Sequence, residues 1–130
     1  GEKVYYIHDG TEWNMIAPTK AARVFYPPSI AIDASTAGAG SINLYSDYFS
    51  QYNGPIVRSD VGGANEAPAS IPTYAANELY YYVTYADPTV FGDGTNVTGM
   101  SISDTGVLSY TVVTPPTDDN TIINVVFVVK

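Results

Sequence analysis

The chain has 130 residues, 45% of them hydrophobic, no cysteine and a formal net charge of −8. That composition excludes a disordered polymer, a disulfide scaffold, thiolate catalysis and cysteine-based zinc sites, and no apolar run approaches the ~20 residues of a membrane-spanning helix. Between Ser59 and Val129 there are eight acidic residues and no lysine or arginine; no basic stripe can form there, so neither a nucleic acid nor an anionic bilayer is a fitting partner.

The length suits one domain, residues 1–130, with a real core. Tyrosine is abundant, at 12 residues, and each ring brings large buried area with a polar tip. A strand-like pattern starts by Lys3. The expectation is a secreted, extracellular or cell-surface chain from which a signal peptide has been removed.

In chain order, residues 3–8 and 11–17 are β-prone and flank Asp9-Gly10, a strong short hairpin signal because a type I′ turn needs positive φ twice. Residues 22–26 and 29–33 read as short strands separated by Pro27-Pro28, which cannot donate to a ladder. In SINLYSDYFSQYNGP the residues Ile42, Tyr45, Tyr48, Phe49 and Tyr52 recur at helical spacing. This predicts one short helix around 41–52, capped by Ser41 and ended by Asn53-Gly54-Pro55. Residues 54–77, with three prolines and the pair Gly62-Gly63, read as a long loop.

The last third reads as β. Strands are predicted over 78–85, 97–103, 107–113 and 121–129, separated by DPTVFGDGTN, SDTG and TPPTDDN. In ELYYYVTY, strict alternation places Tyr80, Tyr82 and Thr84 on one face and Tyr81, Val83 and Tyr85 on the other. Aromatic bulk on both faces predicts a central strand whose outer face is covered. In TIINVVFVVK, Ile122, Val126 and Val128 face one side, and Ile123, Val125, Phe127 and Val129 the other. Such a strand is expected to be central, covered by a neighbour or exchanged between subunits, since on an edge it would template pairing with another chain. The fold class expected is all-β, an antiparallel β-sandwich (Ig-like or jelly-roll-like) of about seven to nine strands with one short helix.

YYIHDGTEW, ANELYYYVTYADPTVF, SISDTGVLSYTV and the closing INVVFVVK together resemble a C-terminal β-sandwich domain of secreted, cell-surface proteins of Bacteroidota. The likeness spans most of the chain but lies in strand-and-turn patterns, which carry fold more than chemistry. It implies surface location and a structural, adhesin-like or filament-forming role, and brings no catalytic residues with it.

His8, the one histidine, sits beside a hairpin turn with no nucleophile elbow, and reads as a strand-end residue. Acids at Asp9, Asp87, Asp93, Asp104, Asp118 and Asp119 occupy turn positions, where they bond their own backbone, which sets them apart from the buried pair of a glycosidase. Asp93 with Asn96, or Asp118, Asp119 and Asn120, supply hard oxygen ligands for calcium, the one cofactor admitted, although neither group has EF-hand spacing. Trp13, Tyr5, Tyr6 and Tyr74 are candidate sugar-stacking rings. Lys3, Asn124 and Glu78 form a candidate intramolecular isopeptide, by analogy with surface pilins. Function is therefore expected to be non-enzymatic: self-association into a filament or oligomer, or docking to another surface protein, through strand pairing by Ile122, Ile123, Val125, Val126, Phe127, Val128 and Val129. The alternatives are a carbohydrate-binding module and, third, a small glycan hydrolase.

Overall fold

The computed structural model describes residues 23–130 in full, and the backbone of two paired strands before them. Those two, β1 (Tyr5–His8) and β2 (Trp13–Ile16), form an antiparallel hairpin. Its register sets His8 opposite Trp13, so four residues separate the paired ends instead of the two that a type I′ turn requires.

The rest is a sandwich-like arrangement of two antiparallel sheets, as the pattern of short strands and turns leads one to expect, with two short helices where one was expected. In the first sheet, β9 (Asn120–Val129) is the axis. Along one side it pairs with β6 (Leu79–Tyr85). Along the other it pairs in tandem with β3 (Val24–Phe25) and β4 (Ile30–Asp33), which are interrupted where Pro27-Pro28 removes two donors. The second sheet has the order β5-β8-β7, from β5 (Gly38–Asn43), β8 (Val107–Val112) and β7 (Ser101–Ile102).

The predicted helix is α1, Leu44–Asn53, but its start differs. Asn43 is the N-cap, its side-chain oxygen accepting from Ser46 N–H at 2.9 Å, while Ser41 and Ile42 belong to β5. Serine and asparagine both cap well; the choice here follows from pairing, because Ser41 and Ile42 are held opposite Ser109 and Leu108. Strand β5 escaped the sequence reading because GAG carries no side-chain alternation. A Cβ on Gly40 would lie 2.6 Å from the Tyr110 ring, so the ring covers the glycine and needs it bare.

Within the span read as the turn DPTVFGDGTN is α2, Pro88–Phe91. Asp87 caps it by accepting from Thr89 N–H at 2.9 Å, with proline at a first-turn position where its missing donor costs nothing. Residues 97–103 form much less strand than expected: Val97 makes one isolated bridge with Gly92, and only Ser101 and Ile102 join the ladder.

Both sheets and both helices feed the core: Ile30, Ile32, Leu79, Ile123, Val125 and Phe127 from one sheet, Leu108 and Val112 from the other, Leu44 and Tyr48 from α1, and Val90 and Phe91 from α2. Phe127 is fully buried, meeting Phe25, Tyr48 and Tyr81 edge-on at centroid distances of 5.7, 5.5 and 4.9 Å. Edge-to-face contact is the favoured geometry for rings whose faces are negative and edges positive.

Candidate functional site

Along β9 the inward residues Ile123, Val125 and Phe127 are buried, while Ile122, Asn124, Val126 and Val128 face outward. Cross-strand pairing extends that outward row across the sheet. Tyr80 stands opposite Val128 and Tyr82 opposite Val126 on β6, with Val24 opposite Val128 on β3 and Ala31 opposite Ile122 on β4.

Alternation alone puts Tyr85 on the inner face with Tyr81. A register shift between Val83 and Tyr85 sets Tyr85 opposite Asn124 instead, on the outer face. One extra residue at Thr84 is enough, because side chains alternate with a period of two. Tyr80, Tyr82 and Tyr85 are 51%, 50% and 56% exposed, Val24 is 54% and Ile122 65%. Successive rings on one strand face stand about 7 Å apart. The Lys130 ammonium lies 5.2 Å from the Tyr80 ring centroid at the rim of this face.

This corrects the expectation for ELYYYVTY. Among the described strands β6 pairs only with β9, so it is an edge strand, and its outer face is half open instead of covered. Its inner face is core: the Tyr81 hydroxyl donates to Ala76 O at 2.7 Å, and burial pushes its pKa up to about 12, helped by the neighbouring Tyr45, Tyr48 and Asp104. In TIINVVFVVK the centrality is as expected, whereas the face bearing Ile122 is uncovered. β9 is bonded on both sides only towards its end, where Phe127 and Val128 pair with β3 and β6 and Val129 N–H bonds Arg23 O, whereas Ile122 and Ile123 pair with β4 alone and Val125 and Val126 with β6 alone.

Beside β6 lies a cavity of about 550 Å³, lined by Tyr81, Val83, Ala86, Val97, Met100 and Ile102 among others. It occupies the seam where β6 of the first sheet faces β7 of the second.

The sugar-stacking candidates divide. Tyr5, Tyr6 and Trp13 lie on β1 and β2, whose side chains fall outside the described residues. Tyr74 is a packing ring, half-buried and stacked on Phe25 with centroids 6.3 Å apart. Its N–H donates to the Tyr48 hydroxyl at 2.8 Å and its carbonyl accepts from the Tyr45 hydroxyl at 2.9 Å, which pins residues 72–75 to α1.

The calcium candidates are engaged in turn making. Asp93 Oδ1 accepts from Thr95 and Asn96 N–H at 2.9 and 2.7 Å, which lowers its pKa. Asp119 has a positive φ of 60°, and its carbonyl accepts from Ala34 N–H at 2.7 Å. Asp118 is exposed in the same turn, and Asn120 opens β9 opposite Asp33. Among the described residues no group of three or more His, Cys, Asp or Glu is placed to hold a metal ion.

The isopeptide triad is taken apart by the register. Lys130 N–H bonds Glu78 O, while Asn124 stands opposite Tyr85 at the other end of the same ladder, about 20 Å along the strand. The Glu78 carboxylate accepts from Ala75 N–H at 2.9 Å. Lys3 lies outside the described residues, as does the side chain of His8.

Where shifts arise among the carboxyls the pKa is pulled down, at Asp33 by the side chain and then the backbone amide of Ser35, at Asp87 by the side chain and then the amide of Thr89, and at Asp93 by the backbone amides of Asn96 and Thr95. A general acid for glycoside cleavage needs the opposite shift. No family model, curated protein or solved structure matches the chain.

Proposed function

We propose that this is a non-enzymatic structural or adhesive module of a bacterial surface protein or filament, working outside the cell through its outer sheet face. The observation that carries the reading is the half-open row of Tyr80, Tyr82, Tyr85, Val24 and Ile122 on a well-packed sheet. A folded domain has no packing reason to leave three rings and two aliphatic side chains on one sheet face, and such patches mark contact surfaces. Tyrosine suits the task because a rigid ring gives large contact area at low entropic cost and keeps a polar tip for wet surroundings.

In this reading Tyr80, Tyr82 and Tyr85 of β6 join Ile122 of β9 as the residues that would contact a partner. Sedimentation velocity across a hundredfold concentration range, together with negative-stain imaging of protein isolated from cells, tests this. Association or filaments that weaken in Tyr80→Ser/Tyr82→Ser, with an unchanged circular dichroism spectrum, are expected. A wild-type protein that stays monomeric at every concentration and adheres to no cell-surface protein removes the reading.

Carbohydrate binding is the second reading, favoured specifically by the bulge that brings a third ring into line with the other two. Rings in a row along a strand present stacking faces to successive sugars. Glycan-array binding that disappears in Tyr82→Ala is its expected signature.

A further inference from the structure

Hydrogen-bond phase shows which backbone groups look into the seam between β6 and β7. Lys130 N–H donates to Glu78 O, so Glu78 and Lys130 are a bonded pair; Tyr80 with Val128 and Tyr82 with Val126 follow in the same phase. The N–H and C=O groups of Leu79, Tyr81 and Val83 therefore point away from β9, across an edge that pairs with no other described strand. On the other side of the seam Ser103 N–H donates to Val107 O, which makes Ser101 and Ser109 the next bonded pair. Met100 and Ile102 consequently turn their backbone groups outward from β8. The same residues line the cavity: Tyr81 and Val83 from β6, Ile102 from β7 and Met100 just before it.

We infer that this seam accepts one extended strand of a partner polypeptide, bonded to β6 on one side and β7 on the other. The inference rests on the module reading above and names how a partner would attach. Packed sheets lie about 10 Å apart and paired strands about 4.8 Å, so one inserted strand spans two sheet edges with a ladder on each side. The wall mixes apolar side chains, Val83, Ala86, Val97, Met100 and Ile102, with polar groups at Thr84, Ser101 and the tyrosines, which suits a segment that alternates small or medium apolar side chains with hydroxyl-bearing ones. Charge selects its ends. Asp104 follows β7 close enough to act on Tyr81, and Asp87 follows Ala86 at the other end of the cavity. No lysine or arginine lies between Ser59 and Val129, so the partner segment carries Lys or Arg at its flanks.

The probe is an acetylated, amidated, fluorescein-labelled peptide of sequence Lys-Val-Thr-Val-Thr-Val-Lys, added to the intact chain. Amide hydrogen exchange by NMR comes first, without peptide. Tyr81, Val83 and Ile102 are expected to exchange at least about tenfold faster than Tyr80 and Tyr82, whose amides bond β9. Equal protection overturns the inference, because the seam is then closed by another segment of this chain or by a second copy. Saturating peptide is then expected to slow the three seam amides by about tenfold or more. Fluorescence anisotropy should show about tenfold weaker binding when alternate peptide nitrogens are methylated, and several-fold weaker binding when Glu replaces the flanking Lys. Asp104→Asn, at an exposed turn residue, should narrow the Lys-over-Glu preference. Binding that ignores N-methylation overturns strand addition even if the sheet face mediates assembly. Conversely, peptide binding with a persistently monomeric protein supports the seam while removing assembly through the tyrosine face.

Discussion

Single residues carry more of the fold than their size suggests, and Gly106 is the sharpest case. It turns the chain from β7 into β8 at φ +87°, its carbonyl accepts from Leu44 N–H, and a Cβ there would stand 2.8 Å from the Tyr81 ring and 2.9 Å from Tyr45 Cβ. Gly106→Ala combines a strained backbone with a clash against core rings, so a loss of roughly 2–4 kcal/mol is expected in urea unfolding. Phe127→Leu should cost about 1–3 kcal/mol, since it removes the ring against which Phe25, Tyr48 and Tyr81 pack. Tyr81 makes a pH prediction. Its folded pKa is raised to about 12 against an ordinary value of 10.0, so the folded state holds the phenolic proton more tightly than the unfolded state. The associated stability is complete below pH ~10 and is lost as pH rises through about 12. A chemical-denaturation series from pH 8 to 12 should show the midpoint falling above ~10, and Tyr81→Phe should flatten that fall.

At the scale of elements, the helix start and the β6 bulge show what a sequence pattern can and cannot reveal. Asn43→Ala should cost about 1 kcal/mol by removing the bond to Ser46 N–H, while Ser41→Ala should cost a few tenths. Thermal unfolding of the two variants separates the cap from its neighbour. The helix itself was legible because Tyr45, Tyr48, Phe49 and Tyr52 repeat at helical spacing and Gly54 stops the chain. Most strand boundaries were legible too, since β-branched runs end at proline and glycine. Strand β5 was not, because Gly38, Ala39 and Gly40 have no alternating side chains to read. The face of Tyr85 was also hidden: a bulge follows from how β6 meets β9, and that pairing is not written within β6. For the same reason the aromatic row of the candidate site was missed, while Tyr74, which seemed free in a glycine- and proline-rich loop, is tied to Tyr45 and Tyr48.

For the whole molecule, the arrangement of charge and apolar surface is the leading property. The loop after α1 is held by Arg58, which reaches Glu66 at 3.4 Å and Ala67 O at 2.8 Å, and by Asp60, which accepts from Asn65 N–H at 2.7 Å. Ordered in this way, it still leaves Ile56 and Val57 almost entirely exposed. Lowering ionic strength should weaken any association between copies, because each carries a net charge of −8 and self-repulsion lengthens its reach as salt falls. Light scattering at 20 and 300 mM salt checks the direction. The position of β9 carries a last consequence, which concerns time. During synthesis β3, β4 and β6 emerge before the strand that joins them, and until Phe127 and its neighbours leave the ribosome those three have no common partner. The nascent chain must therefore wait with its future interior unsealed, an interval in which a chaperone or a translocation channel would meet an extended polypeptide in place of a finished domain.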